Sequence, residues 1–262
     1  MSQTQSIQLV IPMAGLGKRF TECGYTVPKP LINIHGLPMY RLVLADLLTD
    51  QISRVAIVAQ RAWNLSRSID QLGESLGLEI ALIEIDYVTD GPADTVQLTE
   101  EWLHPGDPVV TANSDQYVDA DIRPFYSVLT SGEVAGGLLL MEDSHPKWSY
   151  ARLNEKGYVI EVREKSVISP FATVGIYGFA TASIMLDAFA AMRARGDRVN
   201  GEFYVGPSYN YLRTGFPIAA TNLGPVSTVM HGLGTPEDFE SFRASDISRH
   251  AVSKAITNGM PT

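Results

Sequence analysis

The residues near the N-terminus that could do chemistry are cations set beside glycines. Gly15 and Gly17 follow an apolar run from Ile7 to Ile11, and Lys18 and Arg19 come directly after them. A glycine-rich turn that leaves a buried strand can bring its backbone N–H groups close to an anion. The stretch therefore predicts an anion site, although an ordinary turn with two solvated cations explains the same residues.

The spacing of these residues excludes two well-known phosphate loops. A Walker loop needs Ser or Thr after its lysine, but Arg19 follows Lys18. A dinucleotide-binding turn needs a small residue where Phe20 stands. What remains is Gly-x-Gly-x-Arg followed by Pro28-Lys29-Pro30, whose prolines stiffen the backbone around the lysine. Such a lysine loses less conformational entropy when it holds a phosphate.

Three further sites carry polar residues in suggestive places. Asn113-Ser114-Asp115 follows a predicted strand, where Asp115 taken alone is more typical of a cap on the next turn than of a metal ligand. Lys165 follows Glu164 at the end of a predicted hairpin, and taken alone the two are a surface ion pair of little energetic weight. Glu202, taken alone, is as typical of a carboxylate in the first turn of a helix as of a residue that binds a ligand.

Composition limits the partners of the chain. Its 262 residues are 45% hydrophobic and 19% charged, and the net charge is −9. An acidic protein is a poor general ligand for nucleic acid or for an anionic membrane, so we expect neither as a partner. It can still bind a small anion if its cations are concentrated in one cleft. The single cysteine, Cys23, excludes an internal disulfide and fits a reducing compartment.

Two observations predict a cytoplasmic location. The polar segment from Met1 to Ser6 lacks the basic and then apolar layout of a signal peptide. No apolar run approaches the roughly 20 residues that a membrane-spanning helix needs.

Predicted strands and helices alternate through the first half of the chain. The strands are Gln8–Ala14, Arg54–Ala59, Glu79–Asp86, Pro108–Ala112 and Val134–Met141. The helices between them are Pro38–Leu48, Trp63–Leu76, a helix capped by Asp94 that runs to Leu103, and Ala120–Thr130. This alternation predicts an α/β fold with a doubly wound, mostly parallel mixed sheet.

The pattern changes after residue 141. Tyr150–Leu153 and Tyr158–Glu164 predict a β-hairpin, Phe171–Ala180 a strand and Ile184–Arg195 a helix. Further predicted elements are strands at Ile218–Leu223 and Ser227–Met230 and a helix that begins at Thr235. We predict one domain over residues 1–262, with a nucleotide-binding half to about residue 130 and an acceptor-binding half over about 131–245. A polar C-terminal tail, frayed or forming an auxiliary helix, follows over 246–262.

Motifs along nearly the whole chain resemble, in the same order, those of the sugar-1-phosphate nucleotidylyltransferases. Glucose-1-phosphate thymidylyltransferases and related enzymes of capsule and lipopolysaccharide synthesis are the most similar members. The motifs are Val10–Phe20 with Pro28–Leu31, Asp90–Asp94, Asn113–Asp115, Glu164-Lys165, Val174–Tyr177, Gly201–Tyr204 and Gly234–Asp238. No single motif is specific for this family, but the motifs taken together and in this order are.

The resemblance implies a Rossmann-like nucleotidyltransferase fold with a hairpin in the acceptor region. It also implies the joining of an NTP to a sugar 1-phosphate, with release of pyrophosphate and with Mg²⁺ held by Asp115. Implied nucleotide-binding residues are Ala14, Gly15, Gly17, Lys18, Arg19, Lys29, Gly91, Ala93 and Asp94. Implied acceptor-binding residues are Glu164, Lys165, Gly175 and Glu202. Catalytic roles fall to Arg19, Lys29, Asp115 and Lys165, and a homo-oligomer is possible.

One position departs from the family pattern. A second metal-binding Asp or Asn usually stands two residues before the final Gly-Thr, where this chain has Gly232. Glycine offers no side-chain ligand, so His231, Asp238 or water would have to complete the metal shell, or the site is weakened. We assign no second protein ligand.

Three other functions stay open from the sequence. One is transfer from CTP to a phosphorylated small molecule that is not a sugar, such as phosphocholine. Another is a glycosyltransferase, although the Asp-x-Asp letters at Asp119 to Asp121 look like a helix start. The last is a nucleotide-sensing module without turnover, which Gly232 suggests.

Overall fold

The computed structural model describes residues 6–212 and 214–262. Its strands are β1 (Ile7–Pro12), β2 (Asn33–Ile34), β3 (Leu37–Pro38), β4 (Ile52–Gln60), β5 (Glu79–Ile85), β6 (Val109–Ala112), β7 (Gln116–Val118), β8 (Gly136–Glu142), β9 (Ser149–Leu153), β10 (Val159–Glu164), β11 (Phe171–Phe179), β12 (Ile218–Pro225) and β13 (Met230–Gly232). Its helices are α1 (Lys18–Glu22), α2 (Met39–Leu47), α3 (Ser66–Leu76), α4 (Pro92–Gln97), α5 (Arg123–Leu129), α6 (Ala182–Ala194), α7 (Val226–Val229), α8 (Pro236–Ala244) and α9 (Asp246–Thr257).

The central sheet confirms the predicted α/β class. Its path is β10-β9-β11-β6-β1-β4-β5, and β8 and β12 extend it from β11. The pairs β6-β1, β1-β4 and β4-β5 are parallel, so their carboxyl ends meet at one edge. Most residues of β1, and of β4 from Val55 onward, are apolar and buried, as in inner parallel strands. This edge is where α/β folds bind ligands.

The second half of the chain joins the same sheet mainly through antiparallel strands. The predicted hairpin is confirmed as β9 paired with β10, and it lies beside β11. β11 pairs antiparallel with β6 and so lies beside the parallel strands of the first half of the chain. A separate two-stranded sheet, β7 with β13, brings the segment around Gly232 next to the residues that follow Asp115.

Several predicted elements differ from the observed ones. The long loop after Gly15 contains α1, because Phe20 packs edge-on against Tyr25 and Phe239 and so stabilises a short helix. The predicted strand at Ser227–Met230 is a helical turn, α7, after Pro225, and the strand begins only at its last residue.

Other differences concern helix ends. The helix predicted to run to Leu103 ends at Gln97, and it begins after Gly91 with Asp94 inside its first turn, so Asp94 is not the N-cap. The last residues form the auxiliary helix α9, which packs on α2 through buried Ala251, Val252 and Ala255. Thr235 caps α8 as predicted, accepting the N–H of Asp238.

The sequence-based expectation of no signal peptide rests on Met1 to Ser6, of which all but Ser6 lie outside the described residues. Within the described part of the chain, no helix has the length and apolar content to cross a membrane.

Asp46 on α2 makes the stability of the fold depend on pH. Its Oδ2 accepts the N–H of Val118 at 3.0 Å, and burial raises the pKa of the carboxyl to about 7, which Lys254 opposes and Asp119 reinforces. The unfolded chain ionises at its ordinary, lower pKa, so stability is full at low pH and is lost as pH rises through about 7. We expect the free energy of unfolding to fall by about 1–3 kcal/mol between pH 5 and pH 8.

Urea denaturation of Asp46→Asn tests this expectation. The asparagine keeps an oxygen for Val118 but carries no charge, so its stability should vary less with pH than that of the wild type. Asp50→Asn, at an exposed position four residues away, serves as the matched control and should keep the wild-type slope. An unchanged slope in Asp46→Asn would refute the assignment.

Candidate active site

A cleft of about 480 Å³ opens at the carboxyl ends of the parallel strands. It runs from the glycine turn after β1 to the acceptor strands β9, β10 and β11. Ten of the fourteen predicted site residues line it: Ala14, Gly15, Arg19, Lys29, Gly91, Asp115, Glu164, Lys165, Gly175 and Glu202. The fold thus brings residues that lie almost 190 positions apart in the chain into one cleft, as a shared site requires.

Four predicted nucleotide-binding residues do not line the cleft. Gly17 precedes α1 in a left-handed conformation (φ 60°), and a Cβ there would lie 3.0 Å from the Lys29 Cβ. Lys18 is exposed on α1, and Ala93 is buried in α4. Asp94 forms an ion pair with Arg193. In this arrangement Gly17 serves close packing, and Asp94 braces α4.

The two strongest catalytic candidates form an ion pair on the wall of the cleft. Lys29, held between two prolines at the start of a 3₁₀ turn, donates from Nζ to Asp115 Oδ2 at 2.6 Å. Asp115 stands between β6 and β7. Their side chains are only 17% and 26% exposed, so the attraction between the charges is weakly screened. This point combines one cation and one carboxylate beside the phosphate-loop glycines.

The surroundings of Asp115 fit a magnesium ion. A Cβ on Gly234 would lie 3.0 Å from Asp115 Oδ2, so the glycine leaves room beside that oxygen. The Lys29 ammonium donates to the same oxygen, so a bound ion would share this carboxylate with the lysine. Among the described residues no cluster of three or more His, Cys, Asp or Glu side chains forms a metal cage. A single carboxylate suits Mg²⁺, which is commonly held by one or two carboxylates together with substrate phosphates.

The space beside Gly232 is taken by Asp238. A Cβ on Gly232 would lie 3.5 Å from Asp238 Oδ2, and that oxygen is 3.4 Å from Lys147 Nζ. His231 instead packs its ring against Tyr117 and Phe242 and is not part of the cleft wall. Asp238 is therefore the carboxylate that this chain has next to the position of the missing side chain.

Lys165 is fixed at the acceptor end of the cleft. Its backbone is left-handed (φ 53°), and its N–H donates to the Trp148 carbonyl at 2.9 Å. Its Nζ donates to Tyr204 Oη at 2.7 Å and lies 4.7 Å from the centre of that ring. A strained non-glycine backbone is costly and persists where neighbours hold it, as these contacts do. The ammonium is thus presented at a defined point.

Glu164 and Glu202 make this end of the cleft acidic. Burial raises the pKa of the Glu164 carboxyl, a shift opposed by the hydrogen bond from Ser149 Oγ and by Lys165 and reinforced by Glu202. Burial, with a hydrogen bond to Glu202, also raises the pKa of the Tyr204 hydroxyl, while the charge of Arg19 lowers it. The charge of Arg19 therefore acts on the Tyr204 hydroxyl.

Gly175 lets β11 approach the Asp115 loop closely. A Cβ there would lie 2.2 Å from Gln116 Oε1 and 2.6 Å from Asn113 Nδ2, and its φ of 76° also favours glycine. Its carbonyl accepts the N–H of Asn113 at 3.0 Å. Gly175 thus joins β11 to the loop that contains Asp115.

Gly91 joins the nucleotide half to the acceptor motif. Its φ of 127° is available to glycine, and a Cβ would lie 2.6 Å from the Phe203 carbonyl oxygen. Phe203 donates its N–H to Asp90 at 2.7 Å and accepts the N–H of Ala93 at 3.0 Å. Arg198 pairs with Asp90 at 2.7 Å and lies 4.1 Å from the Phe203 ring. The two segments are therefore locked together.

Sequence reasoning missed part of the acceptor wall. Lys147 and Trp148 line the cleft just before β9, with the lysine Nζ 4.5 Å from the centre of the tryptophan ring. Trp148 Nε1 donates to Asp143 Oδ2 at 2.5 Å, which fixes the ring. The sequence signal that could have identified these two residues is their position directly before a predicted hairpin.

The charges of the cleft differ from those of the chain. Four cations line it, Arg19, Lys29, Lys147 and Lys165, together with four carboxylates, Asp115, Glu164, Glu202 and Asp238. The chain carries a net charge of −9, so the cleft is richer in cations than the molecule as a whole. An anion with a bound dication suits such a balanced site better than an anion alone.

Comparison with known proteins adds a family match. A model for nucleotidyl transferases matches residues 9–200. That range includes the glycine turn, Lys29, Asp115 and Glu164-Lys165, whereas Glu202 and Asp238 lie beyond it.

Solved structures share the fold. A nucleoside-diphosphate-sugar pyrophosphorylase from Vibrio cholerae RC9 matches 90% of this chain over its own full length, with a TM-score of 0.77 and 24% identity. A proposed glucose-1-phosphate thymidylyltransferase from Bacillus anthracis matches 93% of this chain and 96% of its own, with a TM-score of 0.74 and 21% identity. The inositol-1-phosphate CTP transferase from T. maritima matches 97% and 98% respectively, with a TM-score of 0.72 and 15% identity.

A shorter sequence match is to a cytidylyltransferase. A 2-aminoethylphosphonate cytidylyltransferase from Lancefieldella rimae is 37% identical over 57 residues. The match spans 22% of this chain and 23% of that enzyme.

Proposed function

The chain belongs to the nucleotidyl transferase family, and we propose that it joins an NTP to a sugar 1-phosphate, releasing pyrophosphate. The observation that carries this proposal is the Lys29–Asp115 pair, which lines the same cleft as Gly15 and Lys165. Such a cleft can hold a triphosphate at one end and a phosphorylated acceptor at the other. The proposal extends to a single domain, a cytoplasmic location, possible homo-oligomers and a role in capsule or lipopolysaccharide synthesis.

The proposed reaction is an in-line displacement at the α-phosphorus. An oxygen of the acceptor phosphate forms the new P–O bond, and the bond to pyrophosphate breaks. The acceptor phosphate is already anionic near neutral pH, so no strong general base is needed. Rate enhancement then comes from positioning and from stabilising charge in the transition state.

The residues of this chain divide that work. The backbone of Gly15, with Arg19 and Lys29, holds the NTP phosphates, and Lys165 aligns the acceptor phosphate. Glu202 accepts hydrogen bonds from acceptor hydroxyls. Asp115 would hold Mg²⁺, which would neutralise charge on the phosphoryl oxygens.

Assaying pyrophosphate release across nucleotides and acceptors tests the proposal. The predicted result is release that requires one NTP, Mg²⁺ and a sugar 1-phosphate together. Release of nucleoside diphosphate from a nucleotide sugar, without pyrophosphate, would instead support a glycosyltransferase. Tight NTP binding with no turnover on any acceptor would support a sensing module.

A second candidate is a cytidylyltransferase for a phosphorylated small molecule that is not a sugar. Two observations favour it: the 57-residue match to a 2-aminoethylphosphonate cytidylyltransferase, and the Glu164 and Glu202 carboxylates at the acceptor end. Carboxylates beside aromatic rings suit an ammonium group as well as sugar hydroxyls. Phosphocholine and 2-aminoethylphosphonate in the same panel, with CTP, separate the two candidates.

Lys165→Met is expected to raise the acceptor KM and to lower kcat/KM for the acceptor by about 10- to 100-fold, because it removes a charge-assisted contact to phosphate. The KM for the NTP should stay near its wild-type value. Lys156→Met, at an exposed site in the hairpin turn, is the matched control and should leave both constants unchanged. An unchanged acceptor KM in Lys165→Met would contradict the assigned role.

A further inference from the structure

Gln60 connects two loops that line the nucleotide end of the cleft. It is the last residue of β4, and it is 8% exposed. Its Nε2 donates to the Ala14 carbonyl at 2.8 Å and to the Tyr87 carbonyl at 2.9 Å. A primary amide nitrogen has two N–H groups, so both donors are used.

The position of β4 in the sheet gives these bonds their importance. β4 lies between β1 and β5, so Gln60 reaches one loop on either side. Ala14 immediately precedes Gly15 in the phosphate-binding turn, and Tyr87 immediately precedes Val88 and Thr89 on the cleft wall. One side chain therefore links the backbone of both loops at the point where each enters the cleft.

We propose that Gln60 is a positioning residue that sets the separation of these two loops and thereby the affinity for the nucleotide. The inference rests on the proposed function, in which the first loop holds the NTP phosphates and the second leads to the predicted nucleotide-binding residue Gly91. A loop that is ordered before binding costs less free energy to order during binding. Without the amide, both loops would have to be ordered by the nucleotide itself.

The chain provides a matched control in Gln8. Its side chain is completely buried, donates to the His104 carbonyl at 3.0 Å and accepts the His104 N–H at 2.8 Å. It thus also makes two hydrogen bonds to backbone, but from the beginning of β1, away from the cleft wall. Gln8→Met and Gln60→Met each replace a buried amide with a side chain of similar length that cannot donate a hydrogen bond.

Calorimetric titration with each Mg²⁺–NTP tests the inference without an acceptor. We expect Gln60→Met to weaken binding of the preferred nucleotide by about 10- to 100-fold, the equivalent of two lost hydrogen bonds. Gln60→Glu, whose carboxylate would face two carbonyl oxygens, should weaken it further. Gln8→Met should bind as the wild type does, although thermal unfolding shows a comparable loss of stability.

Steady-state kinetics supply a readout that a general loss of stability would not move. In Gln60→Met the KM for the NTP should rise while the KM for the acceptor stays at its wild-type value. Gln60→Asn, which keeps the amide on a shorter side chain, should recover part of the affinity, and it replaces Gln60→Met if that variant does not fold.

Wild-type affinity in folded Gln60→Met would overturn the inference, and so would equal weakening in Gln8→Met. Absence of NTP binding by the wild-type protein would instead overturn the proposed function, and the inference with it.

Discussion

Replacing Asp115 with asparagine is expected to lower turnover by about two to three orders of magnitude while the fold survives. The substitution keeps the shape of the side chain but removes the negative charge that Lys29 contacts at 2.6 Å. It also removes the carboxylate proposed to hold Mg²⁺. Lys29→Ala should cause a loss of the same size, because each charged group is worth about 3 kcal/mol in the transition state.

Two measurements separate this effect from damage to the fold. Circular dichroism and thermal unfolding should show that both variants remain folded. Paramagnetic resonance with Mn²⁺ in place of Mg²⁺ should show weaker ion binding in Asp115→Asn. Asp121→Asn, an exposed aspartate paired with Arg123 outside the cleft, is the matched control and should keep both properties. Turnover near the wild-type rate in Asp115→Asn or Lys29→Ala would show that the assigned role is wrong.

Gly91→Ala is expected to destabilise the protein by about 3 kcal/mol or more and to abolish most of its nucleotide affinity. The added Cβ would lie 2.6 Å from the Phe203 carbonyl oxygen and 2.7 Å from its nitrogen. Backbone atoms cannot rotate away as a flexible side chain can, so the junction between the two halves must open. The φ of 127° adds strain of its own.

Gly132→Ala and Gly106→Ala separate the loss of stability due to the steric contact from the loss due to the positive φ. Gly132 also has a positive φ (77°), but a Cβ there would meet nothing within 4 Å. Gly106 has open space and no positive φ. Chemical denaturation should therefore rank the losses of stability as Gly91 first, Gly132 second and Gly106 last. A loss at Gly91 no larger than that at Gly132 would exclude the steric contact with Phe203.

The sheet and most of the helices were predictable because their signals are local. Apolar runs such as the one in β1, and the Thr-Pro start of α8, carry their structure in a few adjacent residues. The α1 helix was not predictable in the same way, because Phe20 is stabilised by Phe239, more than 200 positions away. The segment after Pro225 likewise differs from the prediction, because it forms a helical turn where a strand was expected.

The sequence predicted the cleft residues that lie in recognisable motifs, but not the others. The strand end at Asp115 and the hairpin end at Lys165 have sequence signatures, and both residues line the cleft. Gln60 has none, because its importance comes from two carbonyls on neighbouring strands. Asp94 shows the opposite case: its motif suggests the nucleotide, but its side chain pairs with Arg193 and does not line the cleft, so its role stays a prediction.

The central claim, transfer of a nucleotidyl group to a phosphorylated acceptor in this cleft, is tested most directly by ³¹P nuclear magnetic resonance of the complete reaction. The wild-type protein with Mg²⁺, the preferred NTP and the acceptor should produce pyrophosphate and a new diphosphate-linked product in equal amounts. Asp115→Asn should produce neither at a comparable rate. Pyrophosphate without the coupled product, or nucleoside diphosphate with inorganic phosphate, would contradict the claim.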